Sequence, residues 1–189
     1  LMQKDGKLQN LEQVMIYILY KYTGKNYGVT ELDLSIFEIR DFTEFTSAGL
    51  IVKVDEPGAL QPLTQQQIEE IISKRYSGKA YSNLMSSIDA FMSIQNRYHV
   101  NAIFAIAVTQ MESSCGVNWA AIKPATYNWF SIKGSYNGDS MNGWRKYPSF
   151  KVAVEDFGEL IGTGSAYFAG GNTSIGSIGE SYCPPGDEW

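Results

Sequence analysis

A single carboxylate, Glu112, stands at the end of the most apolar stretch of the chain and could act as a general acid. No polar side chain occurs from Ala102 to Val108, and a helix that is apolar on nearly every side belongs inside a core. Burial and the negative end of the helix dipole both disfavour the charged form, so we expect a raised pKa for Glu112. A carboxyl group that stays protonated near neutral pH can donate its proton to a leaving group. The alternative is an exposed glutamate at a helix end, the more common arrangement for a lone Glu.

The histidine content excludes several other kinds of site. His99 is the one histidine, which rules out a multi-histidine metal site and leaves a Ser-His-Asp or Cys-His site only through His99 itself. His99 stands just before the apolar stretch, where a structural or capping role is favoured over a catalytic one. We therefore expect neither a metal ion nor another cofactor.

The composition indicates a folded protein and argues against nucleic acid as a partner. Hydrophobic residues make up 44% of the 189 residues and aromatic residues 13%, enough to bury a core. Twenty acidic residues against 15 basic ones give a net charge of −5, with no basic cluster. No apolar run is long enough to span a membrane, and no signal peptide is visible. Because the chain begins at Leu1 rather than Met, we expect a piece of a longer protein whose targeting segment lies elsewhere.

The first third of the chain is predicted to be helical and to end at a boundary over residues 76–80. Apolar spacing predicts helices over residues 11–22 and 32–48. A third helix is expected after its cap, Thr64, with three isoleucines on one face: Ile68, Ile71 and Ile72. We assign residues 1–78 to a helical N-terminal segment or subdomain, which weakly resembles S-layer homology repeats. The alternative is a set of helices that pack onto the main domain.

Further helices are predicted in the rest of the chain. Ser82 or Asn83 is expected to cap a long amphipathic helix, and the buried helix that ends at Glu112 follows it. Ser149 is expected to cap a last helix that Gly162 closes, and glycine-rich loops are predicted beyond it.

A small hairpin lobe is predicted between the buried helix and the last one. Residues 128–134 alternate like a short strand, and residues 144–147 are expected to form the returning strand. Asn137-Gly138 and Asn142-Gly143 are dipeptides that two-residue hairpin turns favour.

Three motifs of the second half, taken together, resemble one family of enzymes. They are AIAVTQMESSCG at residues 105–116, NWFSIKG at residues 128–134 and WRKYPSF at residues 144–150. Their order and spacing resemble the bacterial endo-β-N-acetylglucosaminidases of glycoside hydrolase family 73, which cut peptidoglycan glycan strands. The closing Tyr182-Cys-Pro-Pro185 is similar to clostridial and phage members of this wider group. The resemblance implies an α+β, mainly α, lysozyme-like catalytic domain with a small β-hairpin lobe over residues 79–189.

The resemblance implies a role for each matching residue. Glu112 matches the catalytic acid. Tyr147 matches an aromatic residue beside the cleavage site, where a phenol can hydrogen-bond the substrate or hold Glu112. The residues expected to bind substrate, three of them on the strand that floors the sugar groove, are Asn128, Trp129, Phe130, Tyr127 and Tyr182. Cys115 stands where family members often carry Trp or another large residue, so the groove wall next to Glu112 is not defined by the resemblance.

Glycoside hydrolysis usually requires a second carboxylate, as nucleophile or as base for water. Asp139 is the best candidate, because the hairpin lobe is expected to face Glu112 across the cleft. Three alternatives lie on the last predicted helix, whose apolar spacing favours solvated or structural roles for them: Glu155, Asp156 and Glu159. The N-acetyl group of the substrate could also replace the second carboxylate by attacking the anomeric carbon itself.

The chain is therefore expected to be a secreted, extracellular or cell-wall-associated hydrolase that acts as a monomer on the β-1,4 bonds of peptidoglycan glycan strands. A muramidase or lytic transglycosylase on the same scaffold is one alternative, and a non-catalytic glycan-binding module is another. In the resembling fold the C-terminal segment returns past the catalytic helix, where Cys115 and Cys183 could form a disulfide. The alternative is that both thiols act as small buried hydrophobic groups.

Overall fold

The computed structural model describes residues 50–117 and 126–182. Within these ranges the protein has six α-helices and one two-stranded antiparallel sheet, so the described fold is α+β and mainly α, as predicted. The helices are α1 Gln65–Arg75, α2 Gly78–Met85, α3 Ile88–Tyr98, α4 Ala102–Ser113, α5 Phe150–Thr163 and α6 Ile175–Tyr182, and the strands are β1 Ser140–Met141 and β2 Trp144–Arg145. The helices predicted over residues 11–22 and 32–48 lie outside the described residues. None of the helices in the two described ranges is both long and apolar enough to cross a membrane.

Residues 50–76 pack into the same hydrophobic core as the remainder of the described chain. Thr64 caps α1 as predicted, because its side chain accepts a hydrogen bond from the backbone N–H of Gln67 while the Gln67 side chain accepts one from the Thr64 N–H. The predicted face is buried through Ile68, Ile71 and Ile72. Ile51 forms a single bridge with Ser174 near the far end of the chain. The described part of the predicted N-terminal segment thus shares a core with the predicted catalytic domain.

Two helices stand where the sequence predicted one long helix capped by Ser82 or Asn83. α2 begins earlier, at Gly78. The helical conformation is interrupted at Ser86 and Ser87, and α3 begins after them. The hydroxyls of Ser86 and Ser87 both donate to the carbonyl oxygen of Asn83, at 2.9 and 3.1 Å. Such local side-chain bonds compete with continued helix. The prediction of a single helix was wrong because apolar spacing does not report serine–backbone bonding.

α4 is the buried helix that the apolar run predicted. Every residue from Ala102 to Thr109 is buried, and the side chain of Asn101 caps the helix by accepting from the N–H groups of its first turn. His99 ends α3 in the left-handed conformation, with φ 59°, so it has the predicted capping role. After α4 three successive residues have positive φ: Ser114, Cys115 and Gly116. This turn brings the chain after the helix against the ring of Trp129.

The hairpin lobe is present, with both predicted turns. β1 and β2 pair across Asn142-Gly143, where φ is 54° and 81°, the left-handed values that a two-residue hairpin turn requires. Asn137-Gly138 forms a second such turn, closed by a bridge between Tyr136 and Asp139.

Residues 128–134 form a tight loop, and the prediction of a strand there was wrong. The side chain of Asn128 accepts from the N–H of Ile132 at 2.9 Å and donates to the carbonyl oxygen of Ile132 at 2.8 Å. These two bonds close the backbone on itself, and Lys133 alone in this segment forms a bridge, to Trp144.

α5 begins where predicted and extends past its predicted end. Ser149 caps it, Gly162 lies inside it, and Gly164 is its C-cap. Gly162 belongs to the interface with α3, since a Cβ there would lie 2.7 Å from the Cβ of Tyr98. Beyond α5 the predicted glycine-rich loops are in part helical, with a 3-10 helix at Phe168–Gly170 followed by α6. That prediction gave too much weight to glycine and too little to the apolar spacing of α6.

Candidate active site

Glu112 lies in the last turn of α4, at the edge of the core. Its side chain is half-buried, in contrast to the fully buried residues earlier in the helix. The hydroxyl of the next residue, Ser113, donates to the carbonyl oxygen of Trp129 at 3.1 Å and accepts from the N–H of Gly116 at 3.0 Å. The first bond fixes the helix end to the loop at residues 128–134, and the second closes the turn that follows the helix. The carboxyl group of Glu112 is therefore carried by a well-anchored part of the backbone.

Tyr182, another residue predicted for the site, lies at the end of α6. The phenol of Tyr182 donates to the carbonyl oxygen of Phe130, which anchors α6 to the same loop. Burial raises the pKa of Tyr182 well above its usual value, and the negative charge of Glu112 raises it further. Glu112 and Tyr182, two residues predicted for the site, are thus within electrostatic range of each other.

Three polar side chains link the hairpin lobe to α5, and we name them the Arg145–Asp156–Tyr147 triad. Oη of Tyr147 donates to Oδ2 of Asp156 at 2.6 Å, and Nη1 of Arg145 donates to the same oxygen at 2.6 Å. The side chains of Arg145 and Asp156 are only 24% and 14% exposed. Charge-assisted hydrogen bonds of this length in a mostly buried setting are among the stronger ones in proteins. The triad therefore fixes β2 and the residues after it on α5.

The triad also fixes the direction of the hydrogen bond at Tyr147. An ionised carboxylate can only accept hydrogen bonds, so the phenol donates to Asp156. Burial raises the pKa of Tyr147 above its usual value, and Asp156 raises it further, so the hydroxyl keeps its proton. Tyr147 is 2% exposed. The phenol proton is thus directed to Asp156, a partner that the sequence had suggested only as an alternative carboxylate.

Three of the predicted substrate-binding residues, Asn128, Trp129 and Phe130, have buried side chains. The ring of Trp129 stacks on Phe150 with centroids 3.6 Å apart, and the ring of Phe130 stacks on Phe157 at 4.2 Å. These side chains hold the loop at residues 128–134 on the core. The fourth, Tyr127, is 41% exposed and has φ 50°. Tyr127 is thus the member of this set whose ring is most accessible to a ligand.

Asp139 lies exposed on the hairpin lobe, as predicted for this segment. Its backbone N–H donates to the carbonyl oxygen of Tyr136 at 2.8 Å and its own carbonyl oxygen accepts from the Tyr136 N–H at 2.9 Å. The backbone N–H of Lys146 also donates to this carbonyl oxygen, at 3.4 Å. These backbone bonds all lie within the hairpin lobe, and Asp139 is exposed to solvent.

The other carboxylates considered for the site are arranged along α5. Glu155 forms an ion pair with Arg97 at 3.4 Å, and Glu159 is exposed. In the described part of the chain no group of three or more His, Cys, Asp or Glu side chains could hold a metal ion.

Cys115 is a free thiol buried behind the end of α4. Its sulfur accepts from Oγ1 of Thr109 at 3.6 Å and donates to Oε1 of Gln110 at 3.5 Å. Burial raises the pKa of the thiol to about 11. The proposed disulfide is not formed at Cys115, and Cys183 lies outside the described residues. Cys115 has the alternative role, that of a small buried hydrophobic group.

Comparisons of the chain with protein-family models, with curated proteins and with solved structures gave no match. The properties that bear on function are therefore those of the chain itself: its motifs, the neighbourhood of Glu112 and Tyr182, and the Arg145–Asp156–Tyr147 triad.

Proposed function

We propose that the protein hydrolyses β-1,4 glycosidic bonds in the glycan strands of peptidoglycan, as an endo-β-N-acetylglucosaminidase with Glu112 as general acid. The observation that carries this proposal is the position of Glu112, half-buried in the last turn of a buried apolar helix whose end is bonded to the loop at residues 128–134. A carboxyl group in its protonated form can transfer its proton to a glycosidic oxygen. The resemblance of three motifs to glycoside hydrolase family 73 supports the choice of substrate.

In the proposed reaction Glu112 protonates the glycosidic oxygen while the bond from this oxygen to the anomeric carbon breaks. The electron pair of that bond leaves with the protonated oxygen, and a nucleophile attacks the anomeric carbon. Asp139 is the proposed base, which removes a proton from the attacking water. In the competing route the acetamido oxygen of the substrate attacks first, and water then opens the cyclic intermediate.

The loop at residues 128–134 and the exposed ring of Tyr127 support a sugar-binding surface next to Glu112. An aromatic ring at the surface can pack against the apolar face of a sugar, with its hydroxyl available for hydrogen bonding. The buried rings of Trp129 and Phe130 hold this loop on the core. We propose that Trp129 and Phe130 act by positioning the loop backbone and Tyr127.

The decisive experiment is to incubate the protein with purified peptidoglycan and identify the newly formed glycan ends, where cleavage leaves the anomeric carbon, by mass spectrometry. N-Acetylglucosamine at the new ends supports the proposal. N-Acetylmuramic acid would indicate a muramidase, and its anhydro form a lytic transglycosylase. Peptidoglycan that binds the protein without any cleavage would indicate a glycan-binding module.

Two variants serve as controls in this experiment. Glu112→Gln should yield no new ends, because an amide cannot donate the required proton. Glu69→Gln changes a carboxylate on α1 that accepts a hydrogen bond from Gln65 in the same helix, and should cleave at the parental rate. Cleavage by Glu112→Gln at the parental rate would show that Glu112 is not the acid.

A further inference from the structure

A groove of about 410 Å³ lies between α3 and α5, beside the hairpin lobe. Asp89 and Ser93 line it from α3, and Val152 and Glu155 line it from α5. Tyr136, from the hairpin lobe, also lines it. The volume is within the range of small-molecule sites in proteins, about 300–1,000 Å³. One residue considered for the candidate active site, the alternative carboxylate Glu155, also lines this groove.

The charges around the groove largely compensate one another. Nζ of Lys151, another lining residue, donates to Oδ2 of Asp89 at 2.6 Å, and this bond is the largest cause of the lowered pKa of Asp89. Glu155 is paired with Arg97 at 3.4 Å. A groove with paired charges offers hydrogen-bond acceptors and donors without a strong field of one sign. Such a surface suits an uncharged ligand rich in hydroxyl and amide groups, and it does not favour a polyanion.

Tyr136 is held in place by its neighbours. Its ring lies 4.9 Å from the ring of Tyr147, centroid to centroid, at an interplanar angle of 49°. Tyr147 is in turn fixed by the Arg145–Asp156–Tyr147 triad, and the backbone of Tyr136 is paired with that of Asp139. An aromatic ring fixed before the ligand arrives costs little entropy on binding.

We propose that this groove binds further sugar rings of the glycan strand, beyond those at the bond that is cut. The inference rests on the proposed function and extends it to a second contact region. Tyr136 would pack against the apolar face of one pyranose ring, while Ser93 and the two carboxylates bond to hydroxyl and amide groups. Continuity with the candidate active site comes from the backbone pairing between Tyr136 and Asp139. A strand passing Asp139 along the hairpin lobe reaches the groove at Tyr136.

The test uses the Glu112→Gln protein, in which turnover is blocked, and a soluble β-1,4-linked N-acetylglucosamine hexamer as the probe. Amide NMR shifts are followed during titration. We expect saturable changes in the amide shifts of Ser93 and Val152. Adding Tyr136→Ala should raise the Kd at least about tenfold, which corresponds to a loss of about 1.4 kcal/mol of ring contact. Tyr136→Phe keeps the ring, so its Kd for the hexamer should lie within about twofold of that of the Glu112→Gln protein with Tyr136 intact. The inference would be overturned if the hexamer does not change the amide shifts of the groove residues, or if Tyr136→Ala leaves the affinity for the hexamer unchanged.

Two further measurements keep the result interpretable. Ser93→Gln fills the groove from α3 with a good helix former and should also weaken binding, so a folding defect of Tyr136→Ala cannot alone decide the outcome. Hydrolysis of peptidoglycan by the parent protein is measured in parallel. Groove binding without hydrolysis would defeat the proposed function and leave the groove as a sugar site. The inference would fail, and the proposed function would stand, if peptidoglycan is hydrolysed while the hexamer leaves the amide shifts of the groove residues unchanged. The same holds if stem peptide changes these shifts and the hexamer does not.

Discussion

α4 and the hairpin lobe carry the two halves of the proposed site, and they are held in different ways. α4 is buried on all sides over residues 102–109, so it is held by apolar contacts. The hairpin lobe has strands of two residues each and mostly exposed side chains. It is held by two left-handed turns, by the bonds of Asn128 and by the Arg145–Asp156–Tyr147 triad.

This difference shows what each part of the site can tolerate. Apolar packing is non-directional and spread over many contacts, so α4 resists the loss of any one polar group. The hairpin lobe depends on a few directional bonds, and removal of one donor or acceptor leaves its partner unsatisfied. The proposed acid is thus placed by the robust region and the proposed base by the sensitive one.

Glu112→Gln should give the largest effect and should separate stability from activity. Because the half-buried side chain changes only from acid to amide, we expect a free energy of unfolding within about 1 kcal/mol of the parent. Hydrolysis should fall at least about a hundredfold. Urea unfolding and reducing-end release measure the two quantities. A variant that loses both together would mean that α4 is not the robust region described above.

Asp139→Asn tests the proposed base on the lobe. We expect a loss of hydrolysis of about a hundredfold, close to that of Glu112→Gln, since the amide cannot accept a proton from water. Ser140→Ala, which changes the next exposed residue, is the matched control and should retain activity. A loss of less than about tenfold would favour attack by the acetamido group of the substrate.

Gly116→Ala and Gly138→Ala compare the two regions by the same substitution. Both glycines have positive φ, at 76° and 85°, but a Cβ at Gly116 would lie 2.2 Å from Cε2 of Trp129, whereas nothing lies within 4 Å of one at Gly138. Gly138→Ala should cost about 1 kcal/mol of backbone strain. Gly116→Ala should cost about 3 kcal/mol, because steric overlap in the core adds to that strain. Equal midpoints in urea unfolding would contradict the close approach of Trp129 to the end of α4.

Asp156→Asn should destabilise the protein by about 2 kcal/mol, because Arg145 loses its charge partner in a mostly buried setting. Glu155→Gln is the matched control on the same helix. Its partner Arg97 is 63% exposed, so the loss should be about 0.5 kcal/mol or less. Thermal unfolding of both variants measures the difference. A smaller effect at Asp156 than at Glu155 would show that the triad does not hold the lobe.

The parts of the fold that sequence predicts correctly depend on local signals. The capping box at Thr64, the apolar run of α4 and the Asn142-Gly143 turn are each contained within a few residues. The bonds of Ser86 and Ser87 to Asn83 are also local. The spacing of apolar residues carries no information about such bonds, so the interruption between α2 and α3 was missed.

The missed parts of the candidate site depend on pairing between distant residues. Arg145 and Asp156 belong to different elements, and neither residue type alone indicates a partner. Tyr182 and Phe130 are farther apart still, so the link between α6 and the loop at residues 128–134 has no signal in either segment. The identity of Glu112 as a candidate follows from local pattern, whereas its surroundings follow from tertiary structure.

The buried thiol of Cys115 provides a natural probe of how often the core opens beside Glu112. A thiol with a pKa of about 11 and no solvent exposure should not react with iodoacetamide while the protein is closed. Its alkylation rate therefore reports the population of open molecules. In a Cys183→Ser background, which removes the second thiol, we expect slow labelling of the native protein and rapid labelling in urea. Gly116→Ala should accelerate native labelling more than Gly138→Ala does. Rapid labelling of the unmodified native protein would mean that the wall behind the proposed acid opens far more readily than its packing indicates.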